Sequence, residues 1–406
     1  MPAIVAYPTV VQELLTQYGD LFANEPERRH FAEYLTGLFI AERKTVSGIN
    51  REFAVTTDQS CLNRFLTEAP WDVQALNDRR LALFQQDPQT RYRQDGVIAI
   101  DNTLIDHTGK LIEDAGWFWD HADQRHLIAH DYLIANYVQV SGKHYPLDFR
   151  RFRKEDACTA DGTPFKNHTQ LCIELVDWVI ARQIPGDFTF DSYFTNAEIM
   201  NHIHATTRAY VGDLKANRTI TVDGRDWKLS EWISSQLGPL ARRKITVAGK
   251  TQWYFTKTIR LPKVNHPVRI VVLWKSQRAE TPSKILITNR VRWETHRVLK
   301  SYRKRWTGTE TFHRDGKQHL GMGDCQLRSG EGQTRHMYLV FLAYSALMSQ
   351  LQHDRAHDWA HVRLTTIGEA CRLMFREALS KTLAWVVERT REGLSFETIR
   401  LHLALP

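Results

Sequence analysis

Five cysteines in 406 residues are too few and too scattered for a disulfide framework. Their number is odd, and Cys61, Cys158, Cys172, Cys325 and Cys371 form no CxxC pair, which also excludes a zinc ribbon. Buried or idle thiols in a reducing compartment are the reading left. Long hydrophobic runs are missing as well. No stretch approaches the roughly 18–20 apolar residues that cross a bilayer, and the longest near the C-terminus, Met337 to Met348, is short and amphipathic. The opening MPAIVAYPTVVQELL lacks the basic start and apolar core of a secretory signal. There is no internal repeat and no low-complexity tract. A soluble cytoplasmic protein with no membrane partner is expected. Charge of one sign is also modest: 54 Lys+Arg against 46 Asp+Glu give +8, which permits a nucleic-acid partner without demanding one. Contents of 42% hydrophobic and 25% charged residues are ordinary globular values, so general disorder and collagen-like repeats are excluded. At roughly 150 residues per domain, two or three domains are expected.

What the chain does contain changes in texture along its length. From about residue 9 to 90 apolar residues recur at helical spacing, as in VVQELLTQYGDLF and HFAEYLTGLFIAERK. Within this region RKTVSGINREFAVTTDQSCLNRFL reads as two short helices joined by a turn, with basic residues first and polar residues where a DNA-reading helix would begin. A plain helical bundle is the alternative. At residue 95 the pattern turns to strands. Asp95-Gly96 marks a turn, and Val97-Ile98-Ala99-Ile100 is a continuous β-forming run that ends in Asp101. A second β stretch spans 126–140. His168 to Gln183 is an amphipathic helix stopped by Pro185-Gly186, and a short strand then leads into Asp191. This alternation predicts an α/β core with a mixed sheet. Residues 208–288 are mostly β, with strands such as KITVAG, QWYFTKTI and VRIVVLWK, interrupted by one helix at Leu229–Gln236. From Glu294 the chain is helical again, around 302–320, 335–352 and 366–391.

Asp101 and Asp191 each close an apolar strand, and in α/β sheets ligands gather at strand C-terminal ends. A carboxylate facing such a crevice needs a cationic partner, and a divalent metal is one. A turn or helix-cap role is the ordinary alternative for each. The tract SYRKRWTGTETFHRDGK, residues 301–317, then sets Glu310 among Tyr302, Arg305 and Lys317. Two cations and an aromatic beside a lone carboxylate suit phosphate positioning next to a metal ligand, whereas a solvated basic helix is the plainer reading. His121, His126 and His130 lie close in sequence, but no fourth zinc ligand is in pattern. Gly321-Met322-Gly323 is a loop and not a phosphate cradle.

Together, AIDNT around Asp101, FDSYFTN around Asp191 and YRKRWTGTETFHRDGKQHLGMGDCQLR around Glu310 resemble the DDE transposases of bacterial insertion sequences that carry a Tyr–Arg–Glu–Lys signature. WDHADQRH, KHYPLDFR, YVGDLKANR and RHMYLVFLAYSAL are similar to the same family, and the resemblance covers about residues 95–350. It implies a ribonuclease-H-like mixed-sheet catalytic core interrupted by a β-rich insertion, with helical N- and C-terminal regions. The expected division is a DNA-binding domain over 1–94, the first part of the core over 95–212, the insertion over 213–283, the second part with the signature helix over 284–350, and a helical region over 351–406. By resemblance Asp101, Asp191 and Glu310 are the catalytic, metal-binding triad, and Tyr302, Arg305 and Lys317 hold DNA phosphates. Two Mg²⁺ ions, replaceable by Mn²⁺, are the implied cofactors for in-line phosphoryl transfer. The implied partners are double-stranded DNA, as transposon ends and target, and a second copy of the chain in the synaptic complex. Bound to DNA, the protein would sit on a bacterial nucleoid. An inactive transposase-derived DNA-binding protein and another ribonuclease-H-like nuclease are the competing readings.

Two departures from the family pattern carry expectations of their own. Glu310 follows Tyr302 by eight positions where the family has seven. Eight α-helical steps of about 100° turn Glu about 80° away from Tyr, whereas seven leave them about 20° apart. A single-residue π-bulge near Gly308 restores the register. Ile285 stands where some relatives carry a base-stacking Trp, which leaves Trp274 or Trp293 as substitutes. The charge also proves uneven. Residues 215–269 hold 12 Lys+Arg against 3 Asp+Glu, net +9, and residues 284–328 hold 11 against 4, net +7. The remaining 306 residues sum to −8. Two basic tracts therefore flank the candidate site, as DNA binding requires.

Overall fold

A computed structural model of the chain describes residues 3–121, 123–351 and 364–403. It divides into two compact units, one of residues 1–91, 104–130 and 312–406, the other of residues 92–103 and 131–311. Helices α1 (Thr9–Tyr18), α2 (Glu25–Ile40), α3 (Val46–Asn50), α4 (Gln59–Thr67) and α5 (Val73–Gln86) open the chain. α1 starts after Pro8 without a side-chain cap, whereas the starts of the other four follow from capping oxygens that take up amides a helix leaves without partners. Asn24 accepts from Glu27 N, Thr45 from Gly48 N, Asp58 from Ser60 N and Asp72 from Gln74 N. The strands and helices β1 (Val97–Asp106), β2 (Gly116–Asp120), β3 (Arg125–Val138), β4 (His144–Phe152), α6 (Glu155–Asp161), α7 (His168–Ala181), β5 (Asp187–Phe190), α8 (Ala197–Ala205) and β6 (Tyr210–Asp213) follow. Then come β7 (Thr219–Val222), β8 (Arg225–Lys228), α9 (Leu229–Gln236), β9 (Arg243–Val247), β10 (Lys250–Ile259), β11 (Val268–Trp274) and β12 (Lys284–Thr288). The chain closes through α10 (Thr295–Trp306), a π-helical turn (Thr307–Thr311), α11 (Phe312–His319), α12 (Gly330–Gln350), α13 (Ile367–Arg391) and α14 (Phe396–His402). Gln352, the expected end of α12, lies outside the described residues.

In the second unit the strands hydrogen-bond in the order β4–β3–β1–β5–β6–β12–β11–β10–β9. β1, β5 and β6 are parallel, whereas β4–β3, β6–β12, β12–β11, β11–β10 and β10–β9 pair antiparallel. The parallel centre explains the unbroken apolar runs in the sequence: Val97 to Ile100 and Phe188 to Phe190 are buried on both faces. The β-rich stretch 243–288 extends this same sheet through the antiparallel step from β6 to β12. α10 lies on this half, with Val298, Leu299 and the ring of Tyr302 against Val211, Val271 and Leu286. β7 and β8 form a separate two-stranded ribbon, turned by Asp223-Gly224 with φ of +50° and +79°, the left-handed pair that a two-residue hairpin requires.

The first unit packs the N-terminal helices on α12. Tyr34 on α2 bonds His336 Nδ1 at 2.8 Å, and the almost fully buried Arg80 reaches Ser345 Oγ at 2.8 Å. Phe22, Phe31, Phe65 and Trp71 join in one aromatic cluster. Among the described residues no helix is long and apolar enough to cross a membrane.

One element departs from expectation. β1 does not end at Asp101 but continues to Asp106. Past Asp101 its burial alternates, Thr103 and Ile105 inward and Asp106 outward, so the continuation lacks the all-apolar run that marked its first half.

Candidate active site

Asp101 follows four buried residues of β1, and Asp191 is the first residue after β5. Parallel pairing sets Ala99 opposite Thr189, so Asp101, midway along β1, and Asp191, just past β5, each lie two residues beyond the same paired position of neighbouring strands. Glu310 arrives from the π-helical turn. That turn accommodates the extra residue between Tyr302 and Glu310, as the spacing predicts. Gly308 lets it lie on the sheet. A Cβ there would fall 2.5 Å from Val138 Cγ2 and 3.0 Å from Ala99 Cβ, on a buried patch of Val97, Ala99 and Val138.

Arg305, on the last turn of α10, bridges the carboxylates. Its Nη1 is 2.6 Å from Asp101 Oδ2 and its Nη2 is 3.9 Å from Glu310 Oε1. The side chains of Arg305 and Asp101 keep only 11% and 13% of their surface exposed, against 43% for Glu310. Burial pushes the Asp101 carboxyl up to about 7. Arg305 opposes that rise, and the charges of Asp191 and Glu310 add to it. Burial pulls the Arg305 guanidinium down, but Asp101, Tyr302, Asp191 and Glu310 together hold it above its ordinary value. Each of the three carboxylates therefore acts on the same buried charge.

A polar chain that sequence reasoning missed braces both Asp-bearing segments. Asn102 Nδ2 donates to Asp131 Oδ1 at 3.0 Å, and the other oxygen of this buried carboxylate pairs with His168 Nε2 at 2.7 Å. His168 stacks on Phe152 with ring centroids 4.1 Å apart, and its Nδ1 lies 3.3 Å from the Tyr193 hydroxyl. The Tyr193 amide donates to Asp191 Oδ1 at 2.8 Å. Asn102 and Tyr193 were visible within the AIDNT and FDSYFTN motifs. His168 read only as the start of a helix, and nothing local marked Asp131.

Among the other expected residues, Tyr302 has its hydroxyl 3.3 Å from Lys284 Nζ, which is itself 2.9 Å from Asp213. Lys317 belongs to the first unit, where its Nζ donates to Leu104 O at 2.8 Å. His121, His126 and His130 do not converge: His130 is buried between His107 and the Glu113 carbonyl, while His126 sits edge-on to Trp119. Trp274 is fully buried beneath the Arg242 guanidinium, and Arg297 covers the face of Trp293 at 3.7 Å. Neither ring is open to a base.

Residues 17–242 match the family described as DDE superfamily endonuclease. The chain belongs to that family. The match takes in Asp101 and Asp191 and ends before Glu310. No curated protein matches the chain. As a DDE superfamily endonuclease it is a nuclease-type enzyme with DNA as substrate, from a superfamily that generally uses divalent metal ions. Carboxylate oxygens are the donors hard divalent cations take, so Asp101, Asp191 and Glu310 fit such an ion in kind. Among the described residues no three His, Cys, Asp or Glu side chains are grouped closely enough to hold an ion by themselves. In this endonuclease the positive charge between Asp101 and Glu310 is that of Arg305.

Proposed function

We propose that this endonuclease is a DNA transposase of a bacterial insertion sequence, which binds the element's inverted-repeat ends, cleaves them and joins them to target DNA. The observation that carries the reading is the buried guanidinium of Arg305 set between Asp101, at 2.6 Å, and Glu310, at 3.9 Å, in a chain of the DDE endonuclease family. In this reading the three carboxylates hold Mg²⁺, with Mn²⁺ as a substitute. Bound there, such an ion would supply Lewis-acid activation of the attacking oxygen and charge stabilisation of the leaving one in an in-line phosphoryl transfer.

The chain's own residues do the rest. Arg305 presents N–H groups that suit a phosphate, at the point where Asp101 and Glu310 face each other. Tyr302 and Lys284 add a hydroxyl and an ammonium beside it, and Lys317 a further cation in the reading. Asn102 and Tyr193, tied to the Asp131–His168 pair, keep the two Asp-bearing segments in place. The signature reading gains support from the π-helical turn, since it removes the one-residue discrepancy between Tyr302 and Glu310. The helices before residue 95 are proposed to bind DNA, and two copies of the chain to meet on the paired ends.

A cleavage assay on DNA carrying the element's ends tests this. Wild-type protein is expected to cut in Mg²⁺ and not in EDTA, and Asp191→Ala to lose at least about a thousandfold in rate, as losses of directly participating groups do. Equal cutting by wild type and Asp191→Ala would sink the mechanism.

A further inference from the structure

The segment from Asp191 to Ala197 borders two features that the proposed chemistry does not use. The first is the ring of Tyr193. It is 53% exposed although its surroundings fix it firmly. Its hydroxyl is tied to His168 Nδ1, and Asp131 and the stacked Phe152 fix His168 in turn. Phe194 meets the Tyr193 ring edge-to-face at 5.1 Å. An aromatic held this way by its neighbours offers a flat face to solvent at a reduced entropy cost of ordering it on binding.

The second feature is a cavity of about 530 Å³ that starts at Thr195 and Ala197. Lys215, Arg218 and Lys263 line it together with the polar Asn217 and Thr219. No carboxylate lines it among the described residues. Arg218 is anchored by donating to Thr195 O at 2.8 Å, and Thr195 Oγ1 donates to Asp191 O at 2.7 Å, so the cavity wall and the Asp191 segment are joined directly. Lys263 has φ of +64°, in the left-handed region that strains a non-glycine residue. Asn201 holds it there, donating to Lys263 O at 2.8 Å and accepting from Asn265 N at 3.0 Å. The strained backbone at Lys263 thus sits in the lining of an already cationic cavity.

A fixed exposed ring and an unneutralised cationic cavity, joined by a seven-residue segment, are the two halves of a site for unpaired nucleic acid. Bases stack on the ring, and the backbone follows the cations. We infer that Tyr193 and the Lys215–Arg218–Lys263 cavity form a track for a single DNA strand leaving the Asp191 side of the active site, so that this protein binds a frayed or tailed end in preference to a blunt duplex. The inference rests on the reading of Asp191 as part of a DNA-processing site. Duplex DNA away from its terminal pair does not suit the ring, because stacked pairs expose no face to it.

Binding in EDTA tests the track apart from cleavage. Fluorescence anisotropy compares a blunt duplex with the same duplex bearing a 3′ single-stranded tail, and 2-aminopurine in the tail reports stacking through quenching. Tailed DNA is expected to bind about tenfold more tightly than blunt, the size of one base stack. Tyr193→Ala is expected to abolish both the preference and the quenching, and Tyr193→Trp to keep them. Lys215→Ala with Lys263→Ala should lower the salt slope of tailed-DNA binding by ~0.7 for each phosphate released. Equal binding of tailed and blunt DNA, or quenching unchanged in Tyr193→Ala, overturns the track while leaving the nuclease reading intact. Displacement of the tail by equimolar pyrophosphate would show a small-anion site and overturn it too. If no DNA form binds at all, the track and the nuclease reading both fall.

Discussion

Asp101 is the residue whose environment is most at odds with its chemistry. Its carboxyl is nearly enclosed, faces two other carboxylates and has one guanidinium against it, and so titrates near 7 and not near 3.8. A group that holds its proton more tightly folded than unfolded favours folding in acid. Its contribution is complete below about pH 4 and is lost as the pH rises through 7. Asp101→Asn removes that dependence, because an amide keeps the shape without the charge. In urea unfolding with EDTA present, the stability of Asp101→Asn minus that of wild type is expected to rise between about pH 4 and pH 7 and to level off above. The full rise is on the order of 4 kcal/mol, at about 1.4 kcal/mol for each of roughly three pKa units. A difference that stays flat across that window would mean that Asp101 titrates as an ordinary surface carboxylate.

The π-helical turn is the element on which the site depends, because it decides whether Arg305 and Glu310 face Asp101 together. Its position over β1 and β3 is possible only because residue 308 has no side chain. Gly308→Ala places a methyl carbon within 2.5 Å of Val138, and Val138 belongs to a buried strand that cannot retreat. The substitution is expected to destabilise the protein by about 1–3 kcal/mol, the usual cost of overpacking. Loss of DNA cutting should exceed the loss of folded protein, since the turn must lift and carry Glu310 with it. Circular dichroism melting and cleavage rate, measured on the same sample, separate the two. A variant as active and as stable as wild type would show that the turn does not need this close approach.

This turn was legible in the sequence because a helix has a fixed angular step, so one surplus residue between Tyr302 and Glu310 had to be absorbed. The helix Leu229–Gln236 and the strands β9 to β11 were legible for a similar reason, since their periodicity is local. The run of β1 past Asp101 was not, because its second half is half-exposed and carries polar residues. Nor was the meeting of Arg305 with Asp101 across 204 positions, or of Asp131 with His168 across 37. Such pairs are chosen by the sheet order, and no local pattern encodes them.

Across the whole molecule, charge is sorted so that +9 of formal charge falls in residues 215–269 of a chain that sums to only +8. Part of that tract forms the outermost pair of strands, with Arg243, Lys244 and Lys250 exposed on β9 and the start of β10. Cations at a sheet edge have two separate uses. They discourage another strand from pairing with the free edge, and they attract phosphates. Charge reversal tells these apart. Lys244→Glu with Lys250→Glu keeps the edge charged, and so still guarded against strand pairing, but repels DNA. The double variant is expected to stay monodisperse and to unfold at the wild-type midpoint. Its DNA affinity should be weaker, and the slope of log affinity against log salt should be shallower by about 0.9 for each duplex phosphate that the variant no longer neutralises. Wild type itself is expected to lose affinity steeply between about 50 and 200 mM salt, as a protein that neutralises several phosphates does. A slope in the double variant equal to that of wild type would mean that this tract only guards an edge, and that DNA is gripped elsewhere.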